Sequence, residues 1–146
     1  ATDPNRSMIS RRRFPRLLRI RSGSSFARIY RDGMRARGEA MIVVGAPNGL
    51  GHPRLGLSVG KRIWKSAVKR NRVRRVFREA FRLSAAELPH LDLVMIPAVP
   101  KLRPETPAVC AELLRLAHRV EAKLDRMERE RSADSELPAR PGRRTH

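Results

Sequence analysis

Asn71, Arg74, Arg75, Arg78 and Arg82 recur at i, i+3, i+4, i+7 and i+11 within KRNRVRRVFREAFR, residues 69–82. On a helix of about 100° per residue, those spacings stack the five side chains along one side. The chemistry open to such a row is the grip of anions. A guanidinium fork takes a phosphate through two parallel hydrogen bonds, or stacks on a base. A solvated helix normally intersperses acids at i,i+4, whereas here Glu79 is the one acid between residues 61 and 82. Each like-charge pair costs a few tenths of a kcal/mol. Released counterions offset that cost when a phosphate backbone binds. The pattern selects a nucleic acid as partner without separating RNA from DNA.

Other chemistry finds little support. His52, His90, His118 and His146 are scattered, and none has metal-ligand spacing to Cys110. Cys110 falls in an apolar helix stripe and reads as packing. Asp32, Glu39, Glu79 and Asp92 form no cluster suited to a two-metal site. GLSVGKR has Gly60-Lys61, but Leu55 and Arg62 break the phosphate-loop spacing. Gly56 and Gly60 read instead as sites of strand twist or close backbone approach. No catalytic residue and no metal ligand set is expected in the chain itself.

The net charge of +19 makes a polyanion partner the first expectation and an anionic membrane surface the second. The charge is uneven. Residues 6–37 carry eleven arginines against one acid, while residues 101–146 carry eleven basic residues against eight acids. The electrostatic footprint therefore lies in the first two thirds. No stretch approaches the roughly 18–20 apolar residues of a membrane span, so no membrane insertion is expected. One cysteine excludes an intrachain disulfide framework and fits a cytoplasmic setting. Residues 1–21, rich in Arg and Ser, read as a flexible basic arm, within which Met8 offers an alternative start. A single domain is expected over residues 22–131, with a disordered tail at 132–146.

The elements that must position the arginines follow from periodicity. Ser24 or Ser25 opens a short helix closed at Gly33, with Phe26, Ile29 and Tyr30 on one face. EAMIVVGA (39–46) reads as a buried strand. PNGLGHP (47–53) links it, like a hairpin, to RLGLSVGK (54–61), where Leu55, Leu57 and Val59 share a face. A long helix over 65–84 has Val73, Val76, Phe77, Ala80 and Phe81 in its apolar sector. LDLVMIPAV (91–99) reads as a central strand. The last helix carries Pro107 in its first turn and an apolar stripe through Cys110, Leu113, Leu116, Ala117, Val120, Leu124 and Met127. The order is α-β-β-α-β-α, an α/β (α+β) two-layer sandwich with a small sheet packed by helices.

With these elements in place, the chain resembles the protein subunit of bacterial ribonuclease P over roughly residues 18–127. That family opens a long basic helix with the pattern RNRxKRxxRE. Here it is Arg70-Asn71-Arg72, Arg74-Arg75 and Arg78-Glu79, with Arg74 where lysine is commoner. The preceding strand is similar to the family's RxGLxVxKK, through Arg54, Gly56, Leu57, Val59, Lys61 and Arg62. Phe26, Ile29, Tyr30 and Gly33 match the pattern of its first helix.

The resemblance implies a specific role. The family protein binds a catalytic RNA that uses Mg²⁺ to remove the 5′ leader from precursor tRNA, and it supplies no nucleophile or base. Arg54, Lys61, Arg62, Arg70, Asn71, Arg72, Arg74, Arg75, Arg78 and Arg82 are the RNA-binding residues expected by that likeness. Phe26, Tyr30, Ile42 and Val44 match a cleft for the single-stranded leader, where bases stack on aromatics. Val44 stands where the family often has an aromatic, and ordinary core packing is the alternative for Phe26 and Tyr30. A left-handed β-α-β crossover is implied as well, against the usual right-handed rule. No obligate protein partner is expected. The rivals are a ribosomal or other structural RNA-binding protein and a DNA-binding architectural protein.

Overall fold

The structure is a computed structural model that describes residues 16–60, 66–98 and 105–136. Its elements are α1 (Gly23–Asp32), β1 (Met34–Arg37), β2 (Met41–Pro47), β3 (Arg54–Leu57), α2 (Ala67–Ser84), β4 (Leu91–Pro97) and α3 (Thr106–Glu136). The four strands form one sheet in the order β1-β2-β4-β3. β1 and β4 run antiparallel to β2, and β3 runs parallel to β4.

Alternation along the strands divides the apolar residues between two faces. Met41, Val43, Leu55, Leu93 and Met95 join Val73, Phe77 and Phe81 of α2 and Leu113, Leu116 and Val120 of α3 in the main core. The opposite face, with Val44, Ala46 and Val94, is covered by Ile29 of α1 and by Ile20. The sheet with α2 and α3 is the two-layer body, and α1 lies across part of the other side.

Local signals account for the helices. Ser22 caps α1 by accepting from Ser25 N, and Gly33 ends it. Ser66 caps α2 through Lys69 N. The apolar sector of α2 is the one its periodicity requires, with Val73, Phe77, Ala80 and Phe81 buried. Each large side chain there contributes about 1.5–3 kcal/mol by leaving water. The stripe of α3 packs on α2, β2 and β1, and Cys110 is half-buried with its thiol directed at the Ala80 carbonyl.

Four expectations are corrected. β1 is an additional strand, since MRAR pairs residue for residue with Gly45–Ile42 of β2. Residues 47–53 do not close a hairpin, because β4 inserts between β2 and β3. The arm does not extend to residue 21. A 3-10 turn at Arg16–Leu18 buries Leu18, and Ile20 N donates to the Leu55 carbonyl at 2.8 Å. The expected tail boundary at 132 falls inside α3, which continues to Glu136. The rest of the expected arm and tail lies outside the described residues. β3, α2 and β4 make the parallel β-α-β unit to which the crossover expectation refers.

A buried carboxylate fixes the β1–β2 turn. Glu112 of α3 accepts from the backbone N–H groups of Glu39 (2.8 Å), Ala40 (3.0 Å) and Met41 (3.0 Å). Gly38 makes this approach possible, since a Cβ there would sit 2.5 Å from Glu112 Cδ.

Candidate nucleic-acid interface

The outer side of α2 presents Asn71, Arg72, Arg75 and Arg78 to solvent. Arg74 is half-buried. It donates to Asn71 Oδ1 at 3.1 Å and to the Val59 carbonyl at 3.2 Å, which ties the start of the helix to the segment after β3. Arg70 is half-buried as well. Arg82 closes on Glu79, donating from Nε at 3.1 Å. That hydrogen bond holds the Glu79 carboxyl below its usual range, so the charge of Arg82 is already matched.

Arg54 stands apart from this row. Its Nε and Nη2 donate to the two carboxylate oxygens of Asp92 at 2.7 and 2.6 Å. Arg28 donates to the same carboxylate, as does Asn48 at 3.1 Å. Asp92 is fully buried. Arg54 thus joins β3 to β4 at the far end of the sheet, and its carboxylate-facing donors are spent. Lys61 and Arg62 lie outside the described residues.

The aromatic side of the site has its own geometry. The half-buried Phe26 ring crosses the backbone of Gly56, close enough that a Cβ there would come within 2.8 Å of two ring carbons. One turn on, Tyr30 is 41% exposed, so it is not core. Ile42 and its register partner Ile96 are half-buried on the same face of the sheet. Val44 is 2% exposed beneath α1 and serves as packing rather than as accessible lining.

These two sets of residues meet. A groove of about 190 Å³ at the β3 edge is lined by Arg19, Ile20, Phe26, Leu55, Leu57, Arg74 and Arg78. Burial, followed by the charges of Arg19 and Arg74, pulls the Arg78 guanidinium below its ordinary range. It remains a cation at neutral pH. Phe26, Arg74 and Arg78 were expected at the site; Arg19, Ile20, Leu57 and Ile96 were not. The one sequence signal for Arg19 was the spacing of Leu18 and Ile20, a two-residue apolar period inside a basic stretch. Among the described residues, no group of three or more His, Cys, Asp or Glu could hold a metal ion. No described helix is long and apolar enough to cross a membrane.

The family model described as Ribonuclease P matches residues 14–121 of the chain. The chain belongs to the ribonuclease P protein family. The ribonuclease P protein component of Photorhabdus laumondii is 42% identical over 83 residues, covering 57% of this chain and 70% of that protein. The component from Klebsiella pneumoniae is 43% identical over the same shares. In three dimensions, the RNase P protein of Thermotoga maritima superposes with a TM-score of 0.63 at 30% identity, covering 70% of this chain and 96% of that one. The Staphylococcus aureus RNase P protein gives a TM-score of 0.59 at 29% identity, covering 68% and 91%. The matched region contains both α2 and the groove, so the site described above lies within the part shared with the family. The last turns of α3 extend beyond it.

Gly56 yields a direct test of the seat for Phe26. Gly56→Ala is expected to leave stability within about 1 kcal/mol, because the clashing atoms are the far end of a side chain that can rotate. The ring must then move, and its nuclear magnetic resonance signals should shift while those of Phe77 and Phe81 do not. Unchanged Phe26 signals would mean that Gly56 does not seat the ring.

Proposed function

We propose that the chain is the RNA-binding subunit of ribonuclease P, holding the catalytic RNA and the 5′ leader of precursor tRNA. The observation that carries this reading is that Phe26, Arg74 and Arg78 line one groove. A surface that only neutralised phosphate would have no use for a half-exposed aromatic pair beside its arginines. Bases of a single strand stack on such rings without regard to sequence, while the arginines follow the backbone. The exposed face of Asn71, Arg72 and Arg75 is assigned to the catalytic RNA, and Phe26 and Tyr30, with Ile42 and Ile96, to the leader. Hydrolysis is assigned to the RNA, with Mg²⁺ as its ion. The described residues of this chain do not fit a metal site of their own.

The deciding assay is cleavage of precursor tRNA by a bacterial ribonuclease P RNA at low Mg²⁺, with and without the protein. Stimulation is expected, and a folded protein that gives none refutes the proposal. Arg75→Ala combined with Arg78→Ala should weaken binding of the catalytic RNA. It should also flatten the log–log salt dependence by about one for each phosphate no longer neutralised. An unchanged slope would place the RNA on another surface. Phe26→Ala should weaken precursor tRNA more than mature tRNA in the assembled enzyme; equal losses would return Phe26 to a packing role.

A further inference from the structure

The groove at the β3 edge is built from three separate parts of the chain. Arg19 and Ile20 reach it because residues 19–20 pair with β3 at Leu55. Phe26 comes from α1, and Arg74 and Arg78 come from α2. The apolar lining is Ile20, Phe26, Leu55 and Leu57; the polar lining, among the described residues, is three guanidiniums and no acid. Arg74 is fixed in place by its bonds to Asn71 and the Val59 carbonyl. No carboxylate among the described residues lies within ion-pair distance of Arg78. Three cations on one side of an apolar slot describe an amphipathic, anionic occupant. A lone inorganic anion would leave the slot unfilled, and a neutral base would leave the guanidiniums unmatched.

We infer that this groove is a subsite for a single nucleotide, with the base against Phe26, Ile20 and Leu57 and the phosphate on Arg74, Arg78 and Arg19. The inference deepens the RNA-binding reading and rests on it. It makes the docked segment at residues 16–20 part of the binding surface, and it joins the α2 face to the aromatic cleft as one track. The lining has no side chain other than the arginines that can hydrogen-bond a base, so the subsite accepts nucleotides with little sequence preference.

The test is titration of the full chain with uridine 5′-monophosphate, uridine and inorganic phosphate in turn. Methyl signals of Ile20 and Leu57 and the ring signals of Phe26 are followed by nuclear magnetic resonance. The monophosphate should shift all three saturably, and the nucleoside or phosphate alone should bind at least about tenfold more weakly. Arg78→Gln should lose about tenfold in affinity, the scale of one charge-assisted hydrogen bond. Arg78→Lys should retain part of it, while Phe77 and Phe81 signals report an intact fold. Phosphate binding as tightly as the nucleotide overturns the proposal, and so do shifts that bypass these three residues. The wild-type chain is also assayed with the catalytic RNA. If that RNA binds while the nucleotide leaves the groove untouched, the subsite falls and the RNA-binding reading stands. If neither binds, both fall.

Discussion

Asp92→Ala is expected to destabilise the fold by about 3–5 kcal/mol, the range for removing one partner of a buried ion pair. Asp92 opens β4 and is fully buried. Its carboxylate takes both donors of Arg54, a donor of Arg28 and the amide of Asn48. Without it, two guanidiniums face each other across the end of the sheet with no anion between them. Their side chains are 32% and 25% exposed, so partial rehydration places the loss toward the lower end of that range. Urea denaturation measures it, and a loss below about 1 kcal/mol would show that the network is dispensable. Burial by itself raises the Asp92 carboxyl, but the hydrogen bonds from Arg54 and Asn48, with the charges of Arg54 and Arg28, outweigh it and hold the group below its usual range. The sign of the pH dependence follows. Stabilisation is complete above the unfolded carboxylate value of about 3.9 and is lost as pH falls through the lower folded value. Asp92→Asn should therefore flatten the acid limb of the stability profile below about pH 4.

Glu112→Ala comes next, at about 2–4 kcal/mol. One carboxylate satisfies three consecutive backbone N–H groups, of which that of Met41 is buried. Each donor left unmatched out of water costs about 1–3 kcal/mol, and the space at Gly38 would open at the same time. Glu112→Gln keeps the shape but turns an NH₂ group toward donors, so it should not restore stability. Thermal melting of the two variants provides the check. A glutamine variant equal to wild type would mean that shape, not acceptor capacity, holds the turn.

The sequence was most legible where local rules act alone. The apolar sector of α2 and its arginine side follow from one period, and both are found as the spacing requires. β1 was missed because MRAR is four residues long and half charged; only its pairing with β2 makes it a strand. The false hairpin has the same origin. Turn formers at 47–53 report a reversal of the chain but not that a later strand takes the neighbouring place in the sheet. Arg54 was grouped with the RNA-binding cations because its partner, Asp92, lies 38 residues further on. Arg19 was hidden in a basic stretch and acquires a role only through the docking of Ile20 on β3. In each case the missing information was an approach between distant parts of the chain.

That docking also changes how the sheet meets other molecules. A small open sheet has two edges, and each is a template on which another strand can grow. On β3, residues 19–20 occupy part of the free edge. On β1, Lys123 of α3 donates to the Arg35 carbonyl at 2.6 Å, and Arg35 and Arg37 place positive charge alongside. Polyanion-driven crowding brings copies of a cationic protein close together during assembly. With both edges guarded, proximity along an RNA does not become strand-to-strand aggregation.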